Sequence, residues 1–405
     1  MATNRVGPPV RGKDFYGREV FVKLVSEKLK TGNVLLASPR RFGKTSVIYN
    51  LMEQPHWDYT IVHADLEHLT EPAELITLLV VQLACATDTQ LSKLASSLSY
   101  FPKKIWSGFK RTFEEVDLWK VKVKLRDDVR LRWQESGEEL FQKLANLSQV
   151  VIFFLDELPM MIDRMAKSEV HRDDAKTMLR WFRALRLSPK AKNVRFLIAG
   201  SIGIGRVLSD LGETSAINDF EQLRLEPFPP KVASVFVDEL AKSHKIPVSQ
   251  PTKQKMLELI GTAVPYFIQI IFSEVAKAHN QDKKAVTPRI IERIYHEKII
   301  GVDCKTYFDH YYGRLREYYL PHEEKAAKRI LREIASLGSL TREVSYQFFL
   351  KEVGDQANIE KFNLLMTDLE NDFYVSFDPD SKKYRFSCKL LRDWWLRHYG
   401  MGTEV

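Results

Sequence analysis

The sequence predicts an α/β fold, a doubly wound parallel sheet followed by helices and a terminal β-hairpin, and three observations lead there. Short apolar runs alternate with segments of helical period. A glycine-bearing loop, Ser38 to Thr45, stands directly behind the first run, and an acidic pair, Asp156-Glu157, closes the third. Each is the pattern of a buried strand delivering polar residues at its C-terminal end, where open α/β sheets hold their ligands.

In chain order, Glu19 to Leu29 reads as a helix, with Val20, Leu24, Val25 and Leu29 on one face. A turn at Thr31-Gly32-Asn33 leads into the first strand, Val34 to Ala37. Further strands are expected at Tyr59 to Ala64, Val150 to Leu155 and Val194 to Ala199. Each is short and rich in Val, Ile, Leu or Phe, as buried parallel strands are. Tyr100 to Trp133 interrupts this alternation with aromatic residues mixed among Lys and Arg, and reads as an insertion. Three prolines within Arg224 to Pro230 mark a boundary. Lys231 to Ile300 has helical period throughout, with one break at Gly261 to Pro265. Beyond His322 come a helix, Glu323 to Ser336, a turn at Gly338-Ser339, and more helices. Two strand-like runs follow, Phe373 to Phe377 and Tyr384 to Ser387, joined by Asp378-Pro379-Asp380-Ser381. Helices closed by a hairpin give the order of a winged helix-turn-helix. The expected domains are a core at 1–228 with an insertion at about 100–135, a helical lid at 229–300, a linker at 301–322 and a winged helix at 323–405.

Composition narrows the class. An apolar fraction of 44% with 28% charged residues is that of a water-soluble globular chain. The longest apolar runs, around Leu75 to Ala86 and Val150 to Leu155, are core elements too short for a membrane span. The first residues lack the apolar stretch of a secretory signal. Cys85, Cys304 and Cys388 are too scattered for a zinc site or a disulfide framework. A reduced, cytoplasmic setting is expected. The net charge of +8 permits contact with nucleic acid or another polyanion without requiring it.

The chemistry concentrates in three places. Ser38-Pro39-Arg40-Arg41-Phe42-Gly43-Lys44-Thr45 follows the phosphate-loop pattern, except that Ser38 stands where the first glycine belongs. Backbone N–H groups and the following helix N-terminus would face phosphate oxygens. Gly43 allows close approach, Lys44 neutralises phosphate charge, and the Thr45 hydroxyl can ligate Mg²⁺. The apolar run Val150 to Leu155 then delivers Asp156 to hold the metal and Glu157 to orient or deprotonate an attacking water. The run ending at Ala199-Gly200-Ser201 offers Ser201 as a γ-phosphate sensor, or is a plain strand-to-loop turn.

These motifs in this order, with Phe15-Tyr16-Gly17-Arg18-Glu19, Leu225-Glu226-Pro227-Phe228 and Gly261-Thr262-Ala263-Val264-Pro265-Tyr266, resemble the archaeal/bacterial ATPase family. That family belongs to the STAND branch of AAA+-related ATPases, akin to the origin-recognition ATPases. The resemblance runs from Asp14 to Tyr399. It implies a P-loop NTPase core of AAA+/STAND type, a helical lid and a C-terminal winged helix, with ATP and Mg²⁺ as ligands. It also implies that Tyr16, Gly17 and Arg18 lie near the adenine, that Pro39 to Ser46 hold the phosphates, and that Pro265 closes the site. Ser38 departs from the pattern, and no lid arginine follows Pro265, as in STAND members.

Some features keep two readings. Asp173 to Leu187 sets Arg180, Arg183 and Arg186 on successive turns. Arg183 or Arg186 is then a finger reaching a neighbouring subunit's ATP, or the three form a solvated basic face. The aromatic–basic insertion binds nucleic acid, binds a partner, or packs on the core. The candidate recognition helix, Ile359 to Leu369, carries Lys361 but also Asp368, with Glu370 just beyond, which suits protein contact better than phosphate. Trp394, Trp395 and Tyr399 read as core and interface rather than a ligand cage. Three functions therefore stand: an ATP-hydrolysing switch that oligomerises or works with an effector protein, a DNA-binding module with structural ATP, and an ATP-controlled scaffold. The family suggests mobile-element, defence or stress biology, and no membrane association is expected.

Overall fold

A computed structural model describes residues 3–100, 129–200, 203–282 and 285–400. It divides into two compact units, one made of Phe21–Ala37 and Leu51–Arg224, the other of Met1–Val20, Ser38–Asn50 and Leu225–Val405.

The first unit is built on a parallel five-stranded sheet. Its strands are β1 (Asn33–Leu36), β2 (Tyr59–Asp65), β3 (Val150–Asp156), β4 (Val194–Ala199) and β5 (Phe220–Leu223), in the order β2-β3-β4-β1-β5. The centre of the sheet is dry. Val151 to Leu155 of β3 are all buried, which is why that strand reads as an unbroken apolar run rather than an alternating one. Phe141 on the helix Trp133–Ala145 and Phe182 on the helix Arg172–Arg186 pack with Phe153 and Phe196 into one aromatic cluster. The helix Pro72–Ala84 is apolar on nearly every side and almost wholly buried. Glu71 and Glu74 close its first turn as a reciprocal capping box.

The four expected strands are present, and β5 is an addition. Phe220-Glu221-Gln222-Leu223 lies at a sheet edge with Glu221 and Gln222 exposed, so it lacks the apolar run that marks the central strands.

In the second unit the helices Pro230–Ser243, Gln250–Ile260, Pro265–Asp282 and Pro288–Ile294 follow one another. The single break expected at Gly261–Pro265 is joined by two more, after Ser243 and after Asp282. Pro247 and Pro251 near the first, and Pro288 beyond the second, cannot continue a helix but suit its first turn. Helices Asp309–Tyr318, Pro321–Leu337, Arg342–Val353, Ile359–Asn371 and Lys389–Tyr399 complete the unit with a small antiparallel sheet. That sheet orders β6 (Leu340–Thr341), β8 (Lys383–Phe386) and β7 (Val375–Asp378), and β7 and β8 form the expected hairpin. Trp394 and Trp395 are fully buried core, and Tyr399 stacks half-buried on Tyr312 at 3.7 Å. Among the described residues no helix is long and apolar enough to cross a membrane.

Candidate functional site

The loop Ser38 to Gly43 runs from just past β1 into the helix Lys44–Glu53. Its backbone takes two left-handed turns, Arg41 at φ 70° and Gly43 at φ 98°. The space around Gly43 is open, so glycine is demanded there by backbone conformation rather than by crowding. Lys44 Nζ folds back and donates to the carbonyl oxygens of Ser38 and Pro39. A phosphate placed here would exchange these neutral acceptors for anionic ones, which form the stronger, charge-assisted bond.

Ser38 is buried and its Oγ accepts from the Leu225 N–H. The residue that breaks the glycine pattern thus has a task of its own. It ties the loop to the segment Leu225-Glu226-Pro227-Phe228. Ser46 is likewise engaged, its Oγ accepting from the Val10 N–H at 3.0 Å. Thr45 sits beside it in the first turn of the helix.

The residues expected at the base cluster around the same segment. Tyr16 stacks on Phe236 at 5.2 Å and meets Phe228 edge-on at 6.3 Å. Gly17 has φ 69°, and a Cβ there would stand 2.8 Å from Val232, so both conformation and space require glycine. Arg18 is buried, donates to the carbonyls of Glu226 (2.7 Å) and Phe42 (3.4 Å), and lies over the Phe228 ring. Burial lowers its guanidinium to about 10. Pro265 begins its helix next to Tyr266, whose ring Arg41 covers at 4.9 Å.

Four residues around this loop were not legible in the sequence. Phe42 packs edge-on against Phe373 at 5.0 Å. Phe373 holds a left-handed backbone (φ 68°) between the helix Ile359–Asn371 and β7. Beside it Asp372 pairs with Arg314, whose side chain is only 2% exposed. Burial raises the Asp372 carboxyl above its ordinary value against the pull of Arg314, Lys44 and Arg40. Burial, with Arg41, Arg314 and Arg40 nearby, pushes the His310 imidazole down to about 3. A dense group of cations with few anions suits a polyphosphate. No local motif announces Arg314 or Asp372, which lie far from the loop in sequence.

In the sheet unit, Asp156 ends β3 opposite Asp65 of β2 and Ala199 of β4. Glu157 follows in a left-handed conformation (φ 58°), its N–H donating to the Ala199 carbonyl at 2.9 Å. A left-handed non-glycine residue costs about 1–2 kcal/mol and persists where the surroundings dictate it. Here the Ala199 carbonyl on one side does so, with the helix Leu158–Lys167, which Glu157 caps, on the other. His63 stacks on Phe154 at 4.8 Å and brings Nε2 to 3.9 Å from Asp156 Oδ2. Among the described residues no cluster of His, Cys, Asp and Glu could hold a metal by itself. Asp156 is a single strand-end carboxylate, and Mg²⁺ is commonly held by one or two carboxylates with phosphates and water completing its shell. Ser201 and most of the aromatic–basic insertion, residues 101–128, lie outside the described residues.

The arginine helix requires a correction. Arg186 does not face outward. Its side chain is 1% exposed, forms a two-point ion pair with Asp219 at 2.7 and 2.9 Å, and lies between the rings of Phe182 and Phe220. Steps of three residues fall short of a 3.6-residue turn, so Arg186 lies roughly 120° around the helix from Arg180. Arg183 stays near the surface, donating to Ser215 Oγ at 3.3 Å. Burial would raise the Asp219 carboxyl, but the hydrogen bonds and charge of Arg186 outweigh it and hold it below its ordinary value. A lowered carboxyl contributes stability that is complete above the ordinary range and lost as pH falls through the folded value. Arg186→Ala is expected to cost about 3 kcal/mol. It should also flatten the fall in stability below about pH 5. Urea unfolding of both proteins across acidic pH checks this.

No family model and no curated protein matches the sequence. Solved structures do. A Walker-type ATPase of Pyrococcus abyssi is similar over 96% of this chain and 98% of its own, with a TM-score of 0.62 and 18% identity. The ORC2 protein of Aeropyrum pernix, in its ADPNP–ADP complexes, is similar over 95% and 92%, with a TM-score of 0.52 and 12% identity. At these identities the likeness is one of fold, and the fold is that of a P-loop NTPase.

Proposed function

We propose that the chain is an ATP-binding and ATP-hydrolysing switch of AAA+/STAND type. One observation carries the reading. In the parallel order β3-β4-β1, the strand that feeds the Gly43-Lys44-Thr45 loop and the strand that ends in Asp156 finish on the same sheet edge. Open α/β sheets bind ligands at that edge.

In this reading Lys44 and the loop amides hold the triphosphate, with Tyr16, Gly17 and Arg18 at the base and residues 229–300 as a lid headed by Pro265. Thr45 and Asp156 hold Mg²⁺, which when bound draws charge from the β- and γ-phosphates. Glu157 takes a proton from the attacking water. Arg183 is the finger offered to a second copy, since Arg186 is engaged internally.

The contact of Phe42 with Phe373, and the electrostatic pull of Lys44 and Arg40 on the Asp372 carboxyl, support a switch. A loop that moves on binding phosphate must disturb the C-terminal helices and hairpin, which we read as a winged helix. The helix Ile359–Asn371 carries Glu360 and Glu370 against Lys361, which favours a protein partner over duplex DNA; Asp368, expected on this face, is buried instead. The test is Mg²⁺-dependent phosphate release from ATP by the purified chain, with duplex affinity measured across salt concentrations. Turnover with weak duplex binding is expected. No turnover at saturating Mg·ATP would refute the enzymatic reading, and tight, steeply salt-dependent duplex binding would refute the choice of partner.

A further inference from the structure

His63 has no part in the chemistry above, yet its surroundings are specific. It lies two residues before Asp65 on β2, so both project from the same sheet face as Phe154 and Asp156 of β3. The stack on Phe154, with rings inclined at 18°, fixes the plane of the imidazole. Nε2 is sealed from water, has no hydrogen-bond partner, and stands 3.9 Å from Asp156 Oδ2. That gap exceeds a direct hydrogen bond and is closed by a small turn of the carboxylate. Buried polar atoms are nearly always paired, and an unpaired one facing a carboxylate calls for a partner in another state of the site.

We propose that His63 is a positioning residue for Asp156, donating from Nε2–H to Oδ2 while the other carboxylate oxygen faces Mg²⁺ or its water shell. This rests on the reading of Asp156 as the metal carboxylate. Such outer partners fix the orientation of a ligating group, and their loss weakens metal affinity by roughly 10- to 100-fold. The stack makes the role separable from packing, because phenylalanine keeps the ring and removes the donor, whereas glutamine restores an N–H at similar reach.

The experiment titrates Mg²⁺ into the full chain with a fluorescent ATP analogue, alongside binding measured in EDTA. His63→Phe is expected to keep its affinity in EDTA, which also reports that the variant is folded, and to need roughly 10- to 100-fold more Mg²⁺ for the metal-dependent gain. His63→Gln should recover most of that loss. An unchanged Mg²⁺ midpoint in His63→Phe, or a glutamine variant as impaired as the phenylalanine one, would overturn the proposal. If Asp156→Asn keeps the full Mg²⁺-dependent gain, the reading of Asp156 itself fails and takes the role of His63 with it.

Discussion

Glu157→Gln is expected to slow steady-state phosphate release by roughly 10²- to 10⁴-fold while leaving Mg·ATP affinity essentially unchanged. The substitution is nearly isosteric, and the backbone at 157 is fixed from both sides by the Ala199 carbonyl and by the helix that begins at Leu158. The loop therefore keeps its geometry. What disappears is the carboxylate that accepts a proton, and glutamine cannot replace it. Phosphate release and nucleotide binding measured on the same preparation separate the two effects. A loss of both together would assign Glu157 a structural role.

Arg314→Met carries the largest expected cost in stability. Removing one partner of a buried ion pair costs about 3–5 kcal/mol, because the remaining charge stays desolvated. Asp372 is then left beside Phe373 with only the weaker pull of Lys44 and Arg40. The unpaired carboxylate competes with phosphate for Lys44, so ATP affinity should fall in step with stability. Arg314→Met combined with Asp372→Leu removes both charges, and the pair is expected to regain much of the stability. Urea unfolding of the two variants and the unaltered chain checks this. A double variant as unstable as the single one would show that the ion pair itself holds these helices.

The sheet was legible because its information is local. Val34 to Thr45 and Val150 to Glu157 each hold strand, turn and chemistry within a dozen or so residues, and apolar runs alone mark the buried strands. The edge strand Phe220–Leu223 was not legible, since half of it faces water. Long-range polar pairs were hidden for another reason. Arg186 meets Asp219, Ser38 meets Leu225, and Arg314 meets Asp372, each pair brought together only by the folded chain. A helical spacing of arginines looks the same whether its last member reaches solvent or an internal carboxylate. Ser38 likewise looked like a lapse in a glycine motif, until the Leu225 N–H supplied its partner.

Calorimetric titration of ATP into the purified chain with Mg²⁺ present, repeated on Lys44→Ala, bears most directly on the phosphate loop. Binding of one nucleotide per chain is expected. It should weaken by roughly 10- to 100-fold in the variant, the worth of a hydrogen bond to a charged group. An unaltered chain that takes up no nucleotide, or a variant that binds as tightly as the original, would contradict the assignment of Ser38 to Thr45 as a triphosphate cradle.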